Sequence, residues 1–344
     1  MVDKKYCMSS YLAFRYIADQ DKNFYDGLQH ENTRLFNELE KINVKTAKDI
    51  DNQIARQIDA IRDKKIGILL SGGMDSAILA SYLPGCEAYT FRFMGGEYQK
   101  EELDRAVRYA EKYNLKLNYV DIDWNTVESN LEEVMKVKGA PVHSIEPQIL
   151  QAALQAKKDG IEVMIIGNGS DYVFGGMDGL LSKDWTFEEF YKRYIYIEPS
   201  EVLKETADMR YLFEGYRKGE YIDYIAFMDD MAIEESYSSY NNAFKTAGME
   251  YIDPYAILKM SEELDLKRIR NGESKYLIRE LFSMKYPEFD IPNKLPMPRP
   301  VDAYFENWEG PKRAEFIDNL DMKKFSGNQK WLLYCLERFL DMFE

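Results

Sequence analysis

Four short apolar runs rich in β-branched residues punctuate the middle of the chain: IGILL (66–70), AYTFRF (88–93), LNYVDI (117–122) and EVMIIG (162–167). Between them lie segments such as KEELDRAVRYAEKYN (100–114) and EPQILQAALQAKKDG (146–160), where apolar residues recur every three to four positions. Strand-like runs alternating with helical ones predict βαβ units, hence a parallel twisted sheet covered by helices on both faces. Residues 1–64 read as a mostly helical cap or edge with a short strand in SYLAFRYI (10–17), residues 65–180 as an α/β nucleotide-binding domain, and residues 181–344 as a helical subdomain carrying the acceptor substrate. Proline-rich IPNKLPMPRPVD (291–302) interrupts those last helices and is expected to form a loop.

In a parallel sheet, ligands bind at the carboxyl ends of the strands. Two glycine-rich turns fall there, SGGMDS (71–76) after the first run and GNGSD (167–171) after the fourth. The first has neither the lysine of a Walker loop nor the spacing of a dinucleotide fingerprint. It does put Ser71, Gly72, Gly73 and Ser76 at a helix start, where bare N–H groups and the helix dipole favour an anion. Asp75 in the same loop would repel phosphate unless a divalent cation lay between, so its presence predicts Mg²⁺.

Bulk chemistry narrows the field. A formal charge of -15 disfavours nucleic acid as a partner. Three scattered cysteines and two histidines supply almost no raw material for zinc or an iron–sulfur cluster. No apolar run approaches the length that spans a bilayer, and the amino terminus lacks a signal-peptide pattern, so a cytoplasmic protein without membrane partners is expected.

SGGMDS after a buried strand resembles the pyrophosphate loop of the PP-loop ATP pyrophosphatase superfamily. GNGSDYVFGGM (167–177) is similar to the GEGSDELFGG segment of asparagine synthetases and to its counterpart in β-lactam synthetases. GMEYIDPY resembles their GVEARVPF, with Gly248, Glu250 and Pro254 in register, and NGESKYLIREL resembles NGKxEKxILRE, with Lys275 and Arg279 in register. The resemblance covers roughly residues 60–300 and concerns the synthetase half, because only about 65 residues precede the loop.

The resemblance implies an ATP-dependent ligase that adenylates a small carboxylate, releases pyrophosphate, and joins the acyl group to ammonia or an amine. Ammonia would come free or from a separate glutaminase, and a homo-oligomer is compatible with the chain. By the same resemblance Ser71, Gly72, Gly73 and Ser76 hold pyrophosphate, Asp75 and Asp171 hold Mg²⁺, Leu69 and Phe91 flank the adenine of ATP, and Gly167, Asn168 and Gly169 form the second turn. Lys275 is a catalytic candidate by register; either Lys294 or Arg299 is the cation of the family's mobile loop. Asn168 and Tyr172 replace the family's two acids, and the helix position of the β-lactam synthetases' base falls on Ser238 or Ser239, a turn from Glu234 and Glu235. His143, before a helix on the same rim, is a further candidate for substrate contact. Two other readings are a PP-loop enzyme that thiolates tRNA and a nucleotide-binding subunit without chemistry; GNGSD and GMEYIDPY speak against the first, while Asn168 and Tyr172 admit the second.

Overall fold

The β-rich runs pair as their pattern predicts. A computed structural model describes residues 1–30, 40–94, 99–293 and 299–343. Its central sheet has five parallel strands, β1 (Ile66–Leu69), β2 (Glu87–Phe93), β3 (Lys116–Ile122), β4 (Val163–Ile165) and β5 (Glu250–Ile252), in the order β3-β2-β1-β4-β5. Leu69 pairs with Tyr89 on one side of β1, and Ile68 with Ile165 on the other. Because side chains alternate along a strand, Val163 and Ile165 enter one hydrophobic core while Met164 and Ile166 enter the other. The strand order reverses between β1 and β4, so the crevice at their carboxyl ends is the place where such a sheet takes a ligand.

Helices α2 (Ala47–Asp59), α3 (Met74–Ala80), α4 (Lys100–Lys112) and α9 (Tyr276–Lys285) cover one face. The other carries α1 (Lys4–Phe14), α5 (Trp124–Lys138), α6 (Glu146–Lys158), α8 (Ile233–Ala247) and α10 (Gly327–Asp341). Helix α7 (Ser170–Val173) is a single turn after β4. No helix among the described residues is long and apolar enough to cross a membrane.

No strand forms in Ser10–Ile17: Ser10–Phe14 is the end of α1 and the chain leaves the helix at Arg15. Residues Tyr6–Phe14 are buried all round, so the apolar run has no polar face to show a helical period, and the alternation that suggests a strand is incidental. Asp3 caps the helix start by accepting from the Tyr6 N–H at 3.0 Å, and Arg15 closes it in a left-handed conformation with φ 66°. The fifth strand has no counterpart among the runs legible in the sequence; it is three residues long and only partly buried.

Helices α1 and α10 pin the segment between α5 and α6. The Val142 carbonyl accepts from the Tyr11 hydroxyl at 2.8 Å and the Trp331 indole at 3.0 Å, and the Val142 N–H meets Cys335 Sγ at 3.2 Å. A buried ion pair completes the clamp. Lys138 Nζ lies 2.6 Å from Glu146 Oε1, which also accepts from the His143 N–H at 2.9 Å, while Glu146 Oε2 accepts from Asn242 Nδ2 at 2.6 Å. Removing one partner of such a pair leaves an uncompensated charge in the interior. Glu146→Ala is therefore expected to lower unfolding free energy in urea by about 3–5 kcal/mol. A loss below about 1 kcal/mol would contradict this account of the clamp.

Candidate active site

The loop after β1 is closed by its own hydroxyls. The Ser71 N–H donates to Ser76 Oγ at 3.0 Å, the two serine oxygens are 3.0 Å apart, and the Gly73 N–H donates to Ser71 Oγ at 3.1 Å. Gly73 caps α3 without any side-chain hydrogen bond, which leaves the first-turn N–H groups of the helix for a ligand. Ser71, Gly73, Met74, Asp75 and Ser76 line a cavity of about 370 Å³. Gly72 does not line it. A Cβ there would sit 2.5 Å from the Glu102 carbonyl oxygen at the start of α4. Its bareness answers to helix packing.

Asp75 is tied to two distant segments. Its Oδ1 accepts from the Ser170 hydroxyl at 2.6 Å, and its Oδ2 lies 2.7 Å from Lys275 Nζ, which also lies 2.5 Å from Asp171 Oδ1. Lys275 is 3 % exposed; burial opposes its charge, but Asp75 and Asp171 outweigh burial and raise its pKa. Its backbone is left-handed, with φ 52°. A Cβ on Gly176 would run into the Asp171 carboxylate and Lys275 Cε, so the second glycine of the FGG turn makes room for this ion pair.

The residues fit Mg²⁺ delivered with a nucleotide. Asp75 and Asp171 each turn one oxygen to Lys275 Nζ, so the point between them is held by that ammonium; their carboxylates are the donor type that magnesium takes together with phosphate oxygens and water. Among the described residues no group of three acidic, histidine or cysteine ligands exists, so the pair would need the phosphates to complete the shell.

Leu69, Phe91, Tyr89 and Thr90 supply the cavity's apolar wall. Arg105 of α4 also lines it; its side chain is 7 % exposed, its Nη1 lies 3.2 Å from Glu101, and its Nε has no hydrogen-bond partner among the described residues. Arg279 lines the same space and donates from Nε to the Ser274 carbonyl at 2.7 Å.

The second turn runs between two polar clusters. Gly167 packs on Asp75 and Leu79, and the Gly169 N–H donates to Asp253 Oδ2 at 2.6 Å. Asn168 Oδ1 accepts from the Ser236 hydroxyl at 2.7 Å, while its buried Nδ2 has no partner among the described residues. Beyond Ser236 stands the second cluster. Glu235 Oε1 lies 2.9 Å from Arg15 Nε and 3.1 Å from His143 Nε2, and its Oε2 accepts from the Tyr196 hydroxyl at 3.0 Å. The Arg15 guanidinium stacks on the Tyr196 ring at 3.6 Å. Arg299 Nη1 lies 3.3 Å from both His143 Nε2 and Ser144 Oγ.

Burial, aided by the Arg15 and Arg299 charges, pushes His143 down to about 3, so the ring is neutral. Burial works against the Glu235 carboxylate, but Arg15 and His143 prevail and hold it at about 2. Burial and the neighbouring Arg15 lower Arg299 to about 10.

Of the residues singled out in the sequence, Leu69, Ser71, Gly73, Asp75, Ser76, Phe91, Gly167, Asn168, Asp171, His143, Lys275 and Arg299 line one cavity. Gly169 lies just behind it, held by Asp253. Lys294 falls outside the described residues; Pro292 and Asn293, immediately before it, line the cavity. Ser238 and Ser239 return their hydroxyls to the Glu235 carbonyl at 3.4 and 2.6 Å. Arg15, Arg105 and Ser236 are absent from the sequence reading. Arg15 had a signal, as the one charge inside the apolar run SYLAFRYI; Arg105 had a fainter one, sharing the buried face of its helix with Tyr109.

Fold and site together define a parallel α/β protein with a hydroxyl- and glycine-rich loop at its switch point. The chain matches the asparagine synthase family over residues 45–303 and belongs to that family. A Methanocaldococcus jannaschii protein described as "Putative asparagine synthetase (glutamine-hydrolyzing) 1" is 28% identical over 137 residues, 37% of this chain and 24% of that protein. The match thus spans about a quarter of that relative's length. Among solved structures, the U34-tRNA thiolase NcsA of Methanococcus maripaludis with its 4Fe-4S cluster overlaps at TM-score 0.35 and 15% identity, covering 86% of this chain and 80% of its own. The NMN synthetase of Francisella tularensis overlaps at TM-score 0.28 and 13% identity, covering 74% and 99%.

Asp253 yields a pH test. Burial raises its pKa to about 7 despite the N–H groups of Gly169 and Tyr255, with the Asp75 charge adding to the rise. Between the ordinary value, 3.8, and about 7 the folded state binds the extra proton, so stability falls as pH rises through that window. The cost at neutral pH is on the order of 4 kcal/mol at most. Asp253→Asn is expected to remove this slope. A wild-type minus variant difference in urea unfolding free energy that is flat from pH 4.5 to 7.5 would refute the assignment.

Proposed function

We propose that the protein is an ATP-dependent ligase that adenylates a small carboxylate, releases pyrophosphate, and transfers the acyl group to ammonia or an amine with loss of AMP. One observation carries the reading: a single cavity is lined by the Ser71–Ser76 loop, by Asp75, Lys275 and Asp171, and by Asn168 with its unpartnered amide.

A carboxylate has no good leaving group, so amide formation needs activation. An acceptor oxygen attacks the α-phosphorus, the bond to the bridging oxygen breaks, and pyrophosphate leaves. Negative charge grows on the departing group, and catalysis lies in stabilising it. In this reading the first-turn N–H groups of α3 and the hydroxyls of Ser71 and Ser76 hold the pyrophosphate. The buried Arg105 supplies positive charge beside it, and Lys275 offsets part of the charge of Asp75 and Asp171. Mg²⁺ at Asp75 and Asp171 would neutralise phosphate charge when bound. Leu69 and Phe91 flank the adenine by apolar contact.

Ammonia, free or handed over by a separate glutaminase, then attacks the acyl carbon; the bond to AMP breaks and the extra proton passes to solvent. The Nδ2 of Asn168 is the donor we assign to the acyl oxygen, where developing charge rewards a fixed N–H. Lys294 keeps its proposed role on the α-phosphate, while the contacts of Arg299 with His143 and Ser144 suit a different task.

Incubation with ATP, magnesium, ammonium and a panel of carboxylates is expected to yield AMP and pyrophosphate in equal amounts, dependent on one class of acid. Release of ADP and phosphate would overturn the reading. Asp75→Asn is expected to cut turnover by about 10²- to 10³-fold, the range for removing one preorganised charge-stabilising group.

A further inference from the structure

A second cavity, of about 350 Å³, shares no described lining residue with the first. Met177, Leu180 and Ala232 give it an apolar wall, and Tyr194, Tyr196 and Glu235 a polar end. Glu235 is the partition between the two spaces: it lines the second, while its Oε1 meets Arg15 and His143, which line the first. A wide π-helical turn, Met228–Ala232, runs into α8 at this place, and such turns recur at functional sites. Its last residue, Ala232, stands three positions before Glu235, so both fall on the helix face that looks into the second cavity.

The polar end is incompletely bonded. Tyr194 is 6 % exposed, and its hydroxyl has no hydrogen-bond partner among the described residues, a costly state for a buried O–H. Glu235 Oε2 accepts from the Tyr196 hydroxyl at 3.0 Å and, as a carboxylate oxygen, has a further lone pair to offer. A group that bridges the two must therefore both accept and donate. Charge narrows the choice. Behind the partition Arg15 and Arg299 outnumber Glu235, with His143 neutral, while the exposed Asp178 and Arg193 of the second cavity cancel. This surplus disfavours another cation, and the Glu235 carboxylate disfavours an anion.

We propose that this cavity holds a primary amine with an apolar substituent, bound as the free base with its nitrogen between the Tyr194 hydroxyl and Glu235 Oε2. The proposal rests on the ligase reading for the choice of an amine over an alcohol: the amine takes the place of ammonia as the attacking group. Its nitrogen attacks the acyl carbon, the carbon–oxygen bond to AMP breaks with AMP keeping the electron pair, and the proton lost from nitrogen passes to solvent. The path runs through the partition, where the Tyr196 ring, stacked on Arg15 at 3.6 Å and bonded to Glu235, must turn aside. Ammonia, with the bulk of one water molecule, about 30 Å³ in the liquid, needs no cavity of this volume. The surplus positive charge that keeps an amine unprotonated also keeps it nucleophilic.

The test is calorimetry on the whole chain near pH 8.5 with n-butylamine and benzylamine against n-butanol, in two buffers of different ionisation enthalpy. The amines are expected to bind at least about ten times tighter than the alcohol. Because a primary amine with a pKa of about 10 is mostly ammonium in that solution, binding of the free base is expected to release about one proton per amine. Tyr194→Phe, which deletes only a hydroxyl without a partner, is expected to weaken amine binding roughly 3- to 10-fold, and Ala232→Leu, which fills the cavity, by at least about tenfold. Neither is expected to change the affinity for a non-hydrolysable ATP analogue with magnesium. Should Ala232→Leu fail to fold, the tyrosine variant decides alone. No amine binding, equal binding of butanol, binding without proton release, or a Tyr194→Phe protein that binds amines like the wild type would each overturn the proposal, as would AMP release that ammonium supports and a bound amine does not. Amine binding that follows these expectations, without AMP release from any carboxylate, would sustain the site and defeat the ligase reading.

Discussion

The site depends on one buried ammonium group. Lys275 Nζ sits between Asp75 and Asp171, and the three residues come from segments 96 and 104 positions apart in sequence. Without the lysine, two carboxylates would face each other at the mouth of a crevice and repel; without the carboxylates, the lysine would be a desolvated charge. The demand reaches the backbone. Lys275 takes a left-handed conformation, Gly176 gives up its side chain, and Ser170 spends its hydroxyl on Asp75. Three segments are thereby held in one register at the carboxyl ends of β1 and β4.

Charge is divided along the wall in a way a single-purpose nucleotide pocket does not need. The Asp75–Lys275–Asp171 group carries a net negative charge, suited to a cation that travels with phosphates. The Arg15–Glu235–Arg299 group carries a net positive charge, with His143 neutral at its centre. The Gly167–Gly169 turn runs between them, bonded to Ser236 on one side and packed on Asp75 on the other. A molecule reaching from one group to the other would meet opposite fields at its two ends.

Legibility in the sequence followed the range of the interaction. β1 to β4 were readable because each is a short apolar run whose neighbours supply turns and helices locally. The three-residue β5 was not, since its pairing with β4 depends on a partner some 85 positions earlier, Val163 with Glu250. The end of α1 misled for a related reason: a helix buried on every side has no polar stripe to mark its period. Gly72 was legible as a required glycine, but its reason was not, because Glu102 reaches it only through the packing of α4.

What the chain determined by itself was the alternation of β1 to β4 with the helices between them, the hydroxyl-and-glycine turn after Leu69, and the presence of Asp75 beside it, all set by neighbours within a few residues. Tertiary structure decided the charge balance of the cavity. Arg15 arrives from the first helix, Arg299 from the last third of the chain, Arg105 from the buried face of α4, and each acquires its setting only when distant segments exclude water around it. Charge in a dry wall is a property of the assembled surroundings, so no local pattern encodes it.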